Sequence, residues 1–231
     1  MSAAALAREG GQPDLMTASK FAQTTGVSRE TLERLSLLRD LITEWQSRVN
    51  LIGRATFPDI WRRHFLDSAQ LVGMAPRDAT WLDIGSGAGF PGLVVAICAG
   101  ARVHLVEADS RKCGFLREAA LRTDAPVEVH NARIEDLGPV GAGVITARAV
   151  APLRRLLDLC SRHIGPSTLC LFPKGRSVGS ELTEASKYWK LSLETVESVS
   201  DPSGRILRIK GVVPWTPLKK PPRIPRVRGA G

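Results

Sequence analysis

The sequence predicts an α/β fold: a doubly wound, mostly parallel seven-stranded sheet with a helical extension on its N-terminal side. Three observations predict it. From Trp81 onward, short apolar runs alternate with segments of helical period, the pattern of a parallel sheet covered on both faces. A glycine-rich turn at residues 85–92 follows the first of these runs and opens a helix. Residues 28–75 carry helical stripes instead.

Taken in order, residues 1–27 are mixed and polar, with Gly10-Gly11, Pro13 and many small side chains, and are expected to lack order. Ser28 is a good N-cap with Glu30 in the first turn, so helical order is expected to begin there. Leu32, Leu35, Leu38, Ile42, Trp45 and Val49 step by three or four, and Glu33, Arg39, Asp40 and Arg48 form the wet face. A second helix is expected from Thr56, a capping side chain, through Pro58 in its first turn to Val72. These two helices make the extension, 28–75. The sheet domain, 76–213, has strands expected over 81–84, 103–106, 127–129, 144–147 and 169–172. Helices are expected to begin near Gly89, Ser110, Ala151 and Ser180. Two further strands, 193–199 and 205–210, flank Asp201-Pro202-Ser203-Gly204 and read as a hairpin at an antiparallel edge. The tail, 214–231, is rich in proline and basic residues and is expected to be extended.

At 231 residues and 25.0 kDa the chain holds one such domain and its extension. With 43% hydrophobic and 24% charged residues, a packed core is expected and a wholly disordered chain is excluded. No run approaches the ~20 apolar residues of a membrane span. The Ala cluster near the start is too short for a signal peptide, so a cytoplasmic location is expected. The net charge of +9 is uneven. The last 31 residues carry eight basic side chains against Asp201, a net +7, and leave the body nearly neutral. A basic end on a near-neutral body suggests a polyanionic partner, nucleic acid first; the plainer reading is a tail kept soluble by charge. Cys98, Cys113, Cys160 and Cys170 form no C-x-x-C pair and are expected to be free thiols. The four histidines are scattered along the chain, and no metal site is expected.

The segment Asp83-Ile84-Gly85-Ser86-Gly87-Ala88-Gly89-Phe90-Pro91-Gly92 carries the chemistry. Its glycines let the backbone turn tightly and let a ligand touch the main chain. Glu107, 22 residues after Gly85 at the end of the next strand, is placed to accept from both hydroxyls of a ribose. Gly87-x-Gly89-x-x-Gly92 formally matches a dinucleotide fingerprint. Asp83 argues against a dinucleotide, because a carboxylate there repels a pyrophosphate. S-adenosylmethionine carries no phosphate, and its ammonium suits Asp83, directly or through water. A glycine turn with no ligand stands as the plain alternative.

With these residues in view, the sequence resembles the bacterial 16S rRNA guanine-N7 methyltransferases, also called glucose-inhibited division protein B. The resemblance spans roughly residues 35–210 and is an ordered series. Asn50-Leu51-Ile52 is followed by Arg63-His64-Phe65-Leu66-Asp67-Ser68, then by the glycine turn with its Phe90-Pro91-Gly92 ending, then by Glu107. Arg133-Ile134-Glu135, Arg148-Ala149-Val150-Ala151 and Lys174-Gly175 complete it. Thr146-Ala147 before Arg148, Pro173 before Lys174 and Ala108-Asp109 after Glu107 depart from the family pattern.

The resemblance implies a class I S-adenosylmethionine-dependent methyltransferase of Rossmann-like fold, with S-adenosyl-L-methionine as cofactor. It implies methyl transfer to N7 of a guanine in 16S rRNA, in the 530 loop of the decoding region. The partner is then 16S rRNA or the small ribosomal subunit, with no membrane, and a monomer is expected. It implies that Gly85 and Phe90 line the cofactor, with Gly87 and Gly89 shaping the loop and Asp83 among the cofactor-binding residues. Glu107 holds the ribose. Ile134, through its backbone, and Glu135 contact the adenine. Arg148 is the expected catalytic residue, between cofactor and base. Arg63, His64, Asp67 and Lys174 are candidates for RNA contact. Plainer readings stand beside these: His64 and Asp67 bonding each other at i, i+3, Arg148 as a structural ion-pair partner, and Lys174 neutralising a helix end. Two other functions compete: an RNA-binding ribosome-assembly protein with a vestigial site, and an NAD-dependent oxidoreductase.

Overall fold

The computed structural model describes residues 15–215. Seven strands form one sheet: β1 (Trp81–Ile84), β2 (Val103–Glu107), β3 (Val127–Asn131), β4 (Val144–Ala147), β5 (Leu169–Lys174), β6 (Trp189–Glu197) and β7 (Arg205–Pro214). Their order is β3-β2-β1-β4-β5-β7-β6. The first five run parallel; β7 is antiparallel to both β5 and β6. The expected closing hairpin forms, with β7 inside the sheet and β6 at its edge.

Helices cover both faces. In chain order they are α1 (Ala18–Thr25), α2 (Arg29–Trp45), a short α3 (Asp67–Ala69), α4 (Gly92–Ala99), α5 (Ser110–Arg122), α6 (Leu153–Cys160) and α7 (Val178–Ala185). One core cluster joins α2, α4 and α5 to the sheet through Leu35, Leu38, Leu93, Phe115 and Leu105. The other face is filled by Leu82, Leu153, Leu157, Phe172 and Leu207. The extension therefore shares a core with the sheet and packs as part of the same body. At the start of α4, a Cβ on Gly92 would lie 2.3 Å from Leu105 Cδ2 and 2.7 Å from Asp83 Oδ2, so only glycine lets the helix lie this close to β1 and β2.

Three expectations need correction. Residues 1–14 lie outside the described residues, but the expected lack of order fails for 15–27. Thr17 caps α1 by accepting from the Lys20 N–H, and Gly26 closes it in the left-handed conformation. Phe21 is fully buried, 5.3 Å from the Trp61 ring and 6.4 Å from Phe65. Burying one phenylalanine contributes about 1.5–3 kcal/mol, which outweighs the polar composition around it. The second helix of the extension is not continuous either. A 3₁₀ turn (Phe57–Asp59) leads into a π-helical stretch (Trp61–Leu66), and α3 follows. The wider π turn, in which the Asp67 N–H reaches back to the Arg62 carbonyl, changes which side chains align. Thr56 makes no cap; its hydroxyl donates to the Gly53 carbonyl. Finally, β7 runs to Pro214, and the Trp215 N–H bonds to Tyr188, so the sheet extends past the expected start of the tail. Residues 216–231 lie outside the described residues.

Candidate active site

A cavity of about 710 Å³ opens at the carboxyl ends of β1, β4 and β5, where the strand order reverses between β1 and β4. This is the position at which doubly wound sheets bind ligands, and its volume is that of a small-molecule site.

One wall is the glycine turn. Gly85 has φ +65°, and a Cβ there would lie 2.7 Å from Val150 Cγ2. The turn is tied to the next strand by Glu107, whose Oε2 accepts from the Gly87 N–H at 3.0 Å and whose Oε1 accepts from the Asp109 N–H at 2.8 Å. Each oxygen keeps lone-pair capacity for a further donor. Beneath the turn, Asp83 is fully buried. Its Oδ2 accepts from the Gly92 N–H at 3.1 Å, and its Oδ1 has no hydrogen-bond partner. Burial pushes its carboxyl up to about 7, and the bond from Gly92 opposes that rise. Asp83 lies behind the cavity wall, and its carboxylate closes the turn.

The opposite wall is built around Arg148. Its Nη1 donates to the Arg63 carbonyl at 3.0 Å and to Asp67 Oδ2 at 3.3 Å; its Nη2 donates to His64 Nδ1 at 2.7 Å. The guanidinium lies 5.2 Å from the Phe90 ring centroid. Burial lowers its pKa, and Asp67 beside it opposes that shift without cancelling it. The tautomer of His64 follows from its partners. Arg148 can only donate, so Nδ1 accepts. The Thr56 hydroxyl gives its proton to Gly53, so Nε2–H donates to Thr56 Oγ1 at 2.8 Å. Burial, then Arg148 and Arg63, depress the His64 pKa to about 3, which keeps the ring neutral near pH 7. Asp67 Oδ1 accepts from Ser200 Oγ at 2.7 Å, and Arg63 pairs with Asp201 at 2.9 Å. The β6–β7 hairpin thus joins the same network. Ala149, next to Arg148, holds φ +56°, an unusual conformation for a residue with a Cβ.

The structure brings together Arg63, His64, Asp67, Arg148, Gly85, Gly87, Phe90 and Lys174 on one cavity. His64 and Asp67 do not bond each other; both converge on Arg148. Lys174 is on the wall but engaged: its Nζ lies 2.8 Å from both Glu181 Oε2 and the Ala151 carbonyl, with little solvent exposure. Burial raises the Glu181 pKa, but bonds from Lys174, Ser177 and the Leu153 N–H outweigh it and hold the group below its ordinary value. Gly89 shapes the turn from inside, with its N–H on the Ser86 carbonyl.

Ile134 and Glu135 are not on the wall. The Ile134 carbonyl accepts from His163 Nε2–H, while Glu135 is exposed and pairs with Arg155. The chain after β3 turns toward α6 and the segment following it. Sequence reasoning missed Glu181, Ser200 and the site role of Asp201. Lys112, in the first turn of α5, also reaches the cavity. The available signal was topological: α5 begins directly after the Glu107 strand end, so its first turn points to the site. A second finding was invisible in sequence: β2 and β3 bring the seemingly scattered His104 and His130 within 3.0 Å.

A strand order reversing over a glycine turn, a carboxylate closing β2 and a cavity walled by both halves define a nucleoside-cofactor site of the doubly wound class. The fold is shared with a solved TehB-like SAM-dependent methyltransferase from Corynebacterium glutamicum, with a TM-score of 0.51 and 17% identity over 76% of this chain and 98% of that one. In sequence, the ribosomal RNA small subunit methyltransferase G of Paramagnetospirillum magneticum is 51% identical over 203 residues, 87% of this chain and 96% of the relative. That of Rhodospirillum rubrum is 50% identical over 195 residues, 84% and 97% of the two chains. The model of the GidB family, rRNA small subunit methyltransferase G, matches residues 31–210, and this chain belongs to that family.

Proposed function

We propose that the protein transfers a methyl group from S-adenosylmethionine to N7 of a guanine in 16S rRNA, in the 530 loop. The observation that carries this reading is the cavity at the strand switch, with a glycine turn on one side and a fixed guanidinium on the other. The residues fit the cofactor: Glu107 keeps acceptor capacity for ribose hydroxyls, and the orphaned Asp83 Oδ1 supplies buried negative potential for a cationic ligand. The cofactor supplies an electrophilic methyl on a sulfonium. Guanine N7 has an exposed lone pair and needs no base, which agrees with a site whose histidine is neutral and fully engaged. Arg148 has five N–H groups, of which three make the bonds above. Its Nε–H and one Nη2–H are left for guanine O6 or a phosphate. The task of the walls is alignment, which supplies on the order of 7–11 kcal/mol. Arg63, at the rim, meets the RNA backbone.

The test is methyl transfer from labelled S-adenosylmethionine to unmethylated small subunits and to their deproteinised rRNA, with nucleosides identified by mass spectrometry. N7-methylguanosine mapped to the 530 loop is expected. A different methylated nucleoside, or no label despite cofactor binding, overturns the reading.

A further inference from the structure

The β2–β3 edge carries a second cluster, remote from the methyl-transfer cavity in that none of its members lines it. In the parallel register His104 faces Glu128, and Val106 faces His130. Glu128 and His130 are two apart on β3, so all three side chains stand on one face of the sheet. The connection from β3 to β4, residues 132–143, contains no helix. This face at the edge therefore lacks the crossover helix that usually covers it.

The three side chains converge on one point. His104 Nδ1 lies 3.0 Å from His130 Nε2, and 3.4 Å from Glu128 Oε2; His130 Nε2 lies 3.7 Å from Glu128 Oε1. We propose that His104, His130 and Glu128 form a binding site for a divalent transition ion of the zinc class. Zinc binds imidazole nitrogen and carboxylate oxygen at about 2.0–2.2 Å, so two ligands of a tetrahedral site are about 3.4 Å apart. The three separations bracket that value. The ligand set of two imidazoles and a carboxylate suits zinc, copper or nickel and disfavours magnesium and calcium.

The two rings are held in place: both are mostly buried on paired strands and stack with centroids 5.2 Å apart. Glu128 is exposed and is free to close over an ion, leaving a fourth position for water. Without an ion, a neutral imidazole pair places one N–H between two nitrogens, and the carboxylate faces them without a dedicated donor. An ion satisfies all three at once. Its place in the fold gives it a role: it clamps β3 to β2, three residues before Glu107, whose register partner is Asn131.

The experiment is calorimetric titration of zinc into the full chain, stripped of metal and held under a thiol-free reductant, with thermal unfolding read in parallel. One equivalent of zinc is expected to bind and to raise the melting temperature. His104→Asn with His130→Asn is expected to abolish both effects. Glu128→Gln alters an exposed side chain and leaves the fold intact, and it is expected to weaken binding by about 10-fold or more. Cobalt in place of zinc is expected to give four-coordinate visible bands without a thiolate charge-transfer band, which sets the site apart from Cys98. Binding unchanged in Glu128→Gln and in the histidine variant, or a thiolate band, overturns the proposal. So does wild-type protein that takes up no zinc, which would leave a histidine pair sharing one proton. Methyl transfer enters none of these readouts.

Discussion

The glycine turn and the Arg148 knot face each other across one cavity and are built in opposite ways. The turn is local: Asp83 bonds Gly92 nine positions on, and Glu107 bonds Gly87 twenty positions back. The knot is long-range: Arg148 reaches Arg63, His64 and Asp67 over 81 to 85 positions. The turn buries a carboxylate with one oxygen orphaned, whereas the knot saturates its buried histidine on both nitrogens. The first stores an electrostatic cost where a cationic ligand offsets it; the second spends side chains on holding a guanidinium still.

Removing the centre of the knot gives the largest expected effect. Arg148→Ala strands His64 Nδ1 and the Asp67 carboxylate, and leaving a buried charge without its partner costs about 3–5 kcal/mol, read by urea unfolding. Arg148→Lys retains the charge and loses the fork, so it is expected to recover part of the stability but little methyl transfer. Equal stability in Arg148→Ala and wild type would show that the knot is not a structural unit.

The two regions also carry opposite pH signatures. Asp83 has a folded pKa raised to about 7 from 3.8. In that window the folded state binds more protons than the unfolded state, so stability falls as pH rises from about 4 to 7. His64 has a folded pKa depressed to about 3 from 6.5, so its contribution is lost as pH falls from about 6.5 toward 3. Unfolding measured across this range should show Asp83→Asn removing the alkaline-side loss and His64→Asn removing the acid-side loss. The same slope in a variant and in wild type would separate that group from the effect.

Gly92→Ala probes the turn by volume. Its Cβ meets Leu105 and Asp83, and overpacking of this kind costs about 1–3 kcal/mol in chemical unfolding. The smallest effect is expected at Ala149→Gly. A left-handed alanine costs about 1–2 kcal/mol, and the added freedom of the unfolded chain returns part of that, so a net gain of about 0.5–1 kcal/mol is expected. A loss of stability there would mean that the Ala149 side chain packs more than it strains.

The legible features of the sequence were those in which neighbours along the chain do the work. Ser28 caps α2, the first strand runs from Trp81 to Ile84, and α5 begins at Ser110. The order of sheet elements and the antiparallel close were legible for the same reason. Thr56 misled, because its hydroxyl serves a histidine eight residues away instead of a helix end. Phe21 misled because its polar neighbours hid the aromatic cluster it joins.

Periodicity, turn chemistry and the ordered motifs thus determined the fold class, the glycine turn and the family of this protein. Those signals depend on interactions within a few residues, and local spacing records them. The tertiary structure alone decided that the Arg-His-Phe segment widens into a π turn, that Arg63, His64 and Asp67 hold Arg148, and that two distant histidines meet on β2 and β3. Such contacts depend on register and on where a crossover lands, and no stretch of sequence contains both partners.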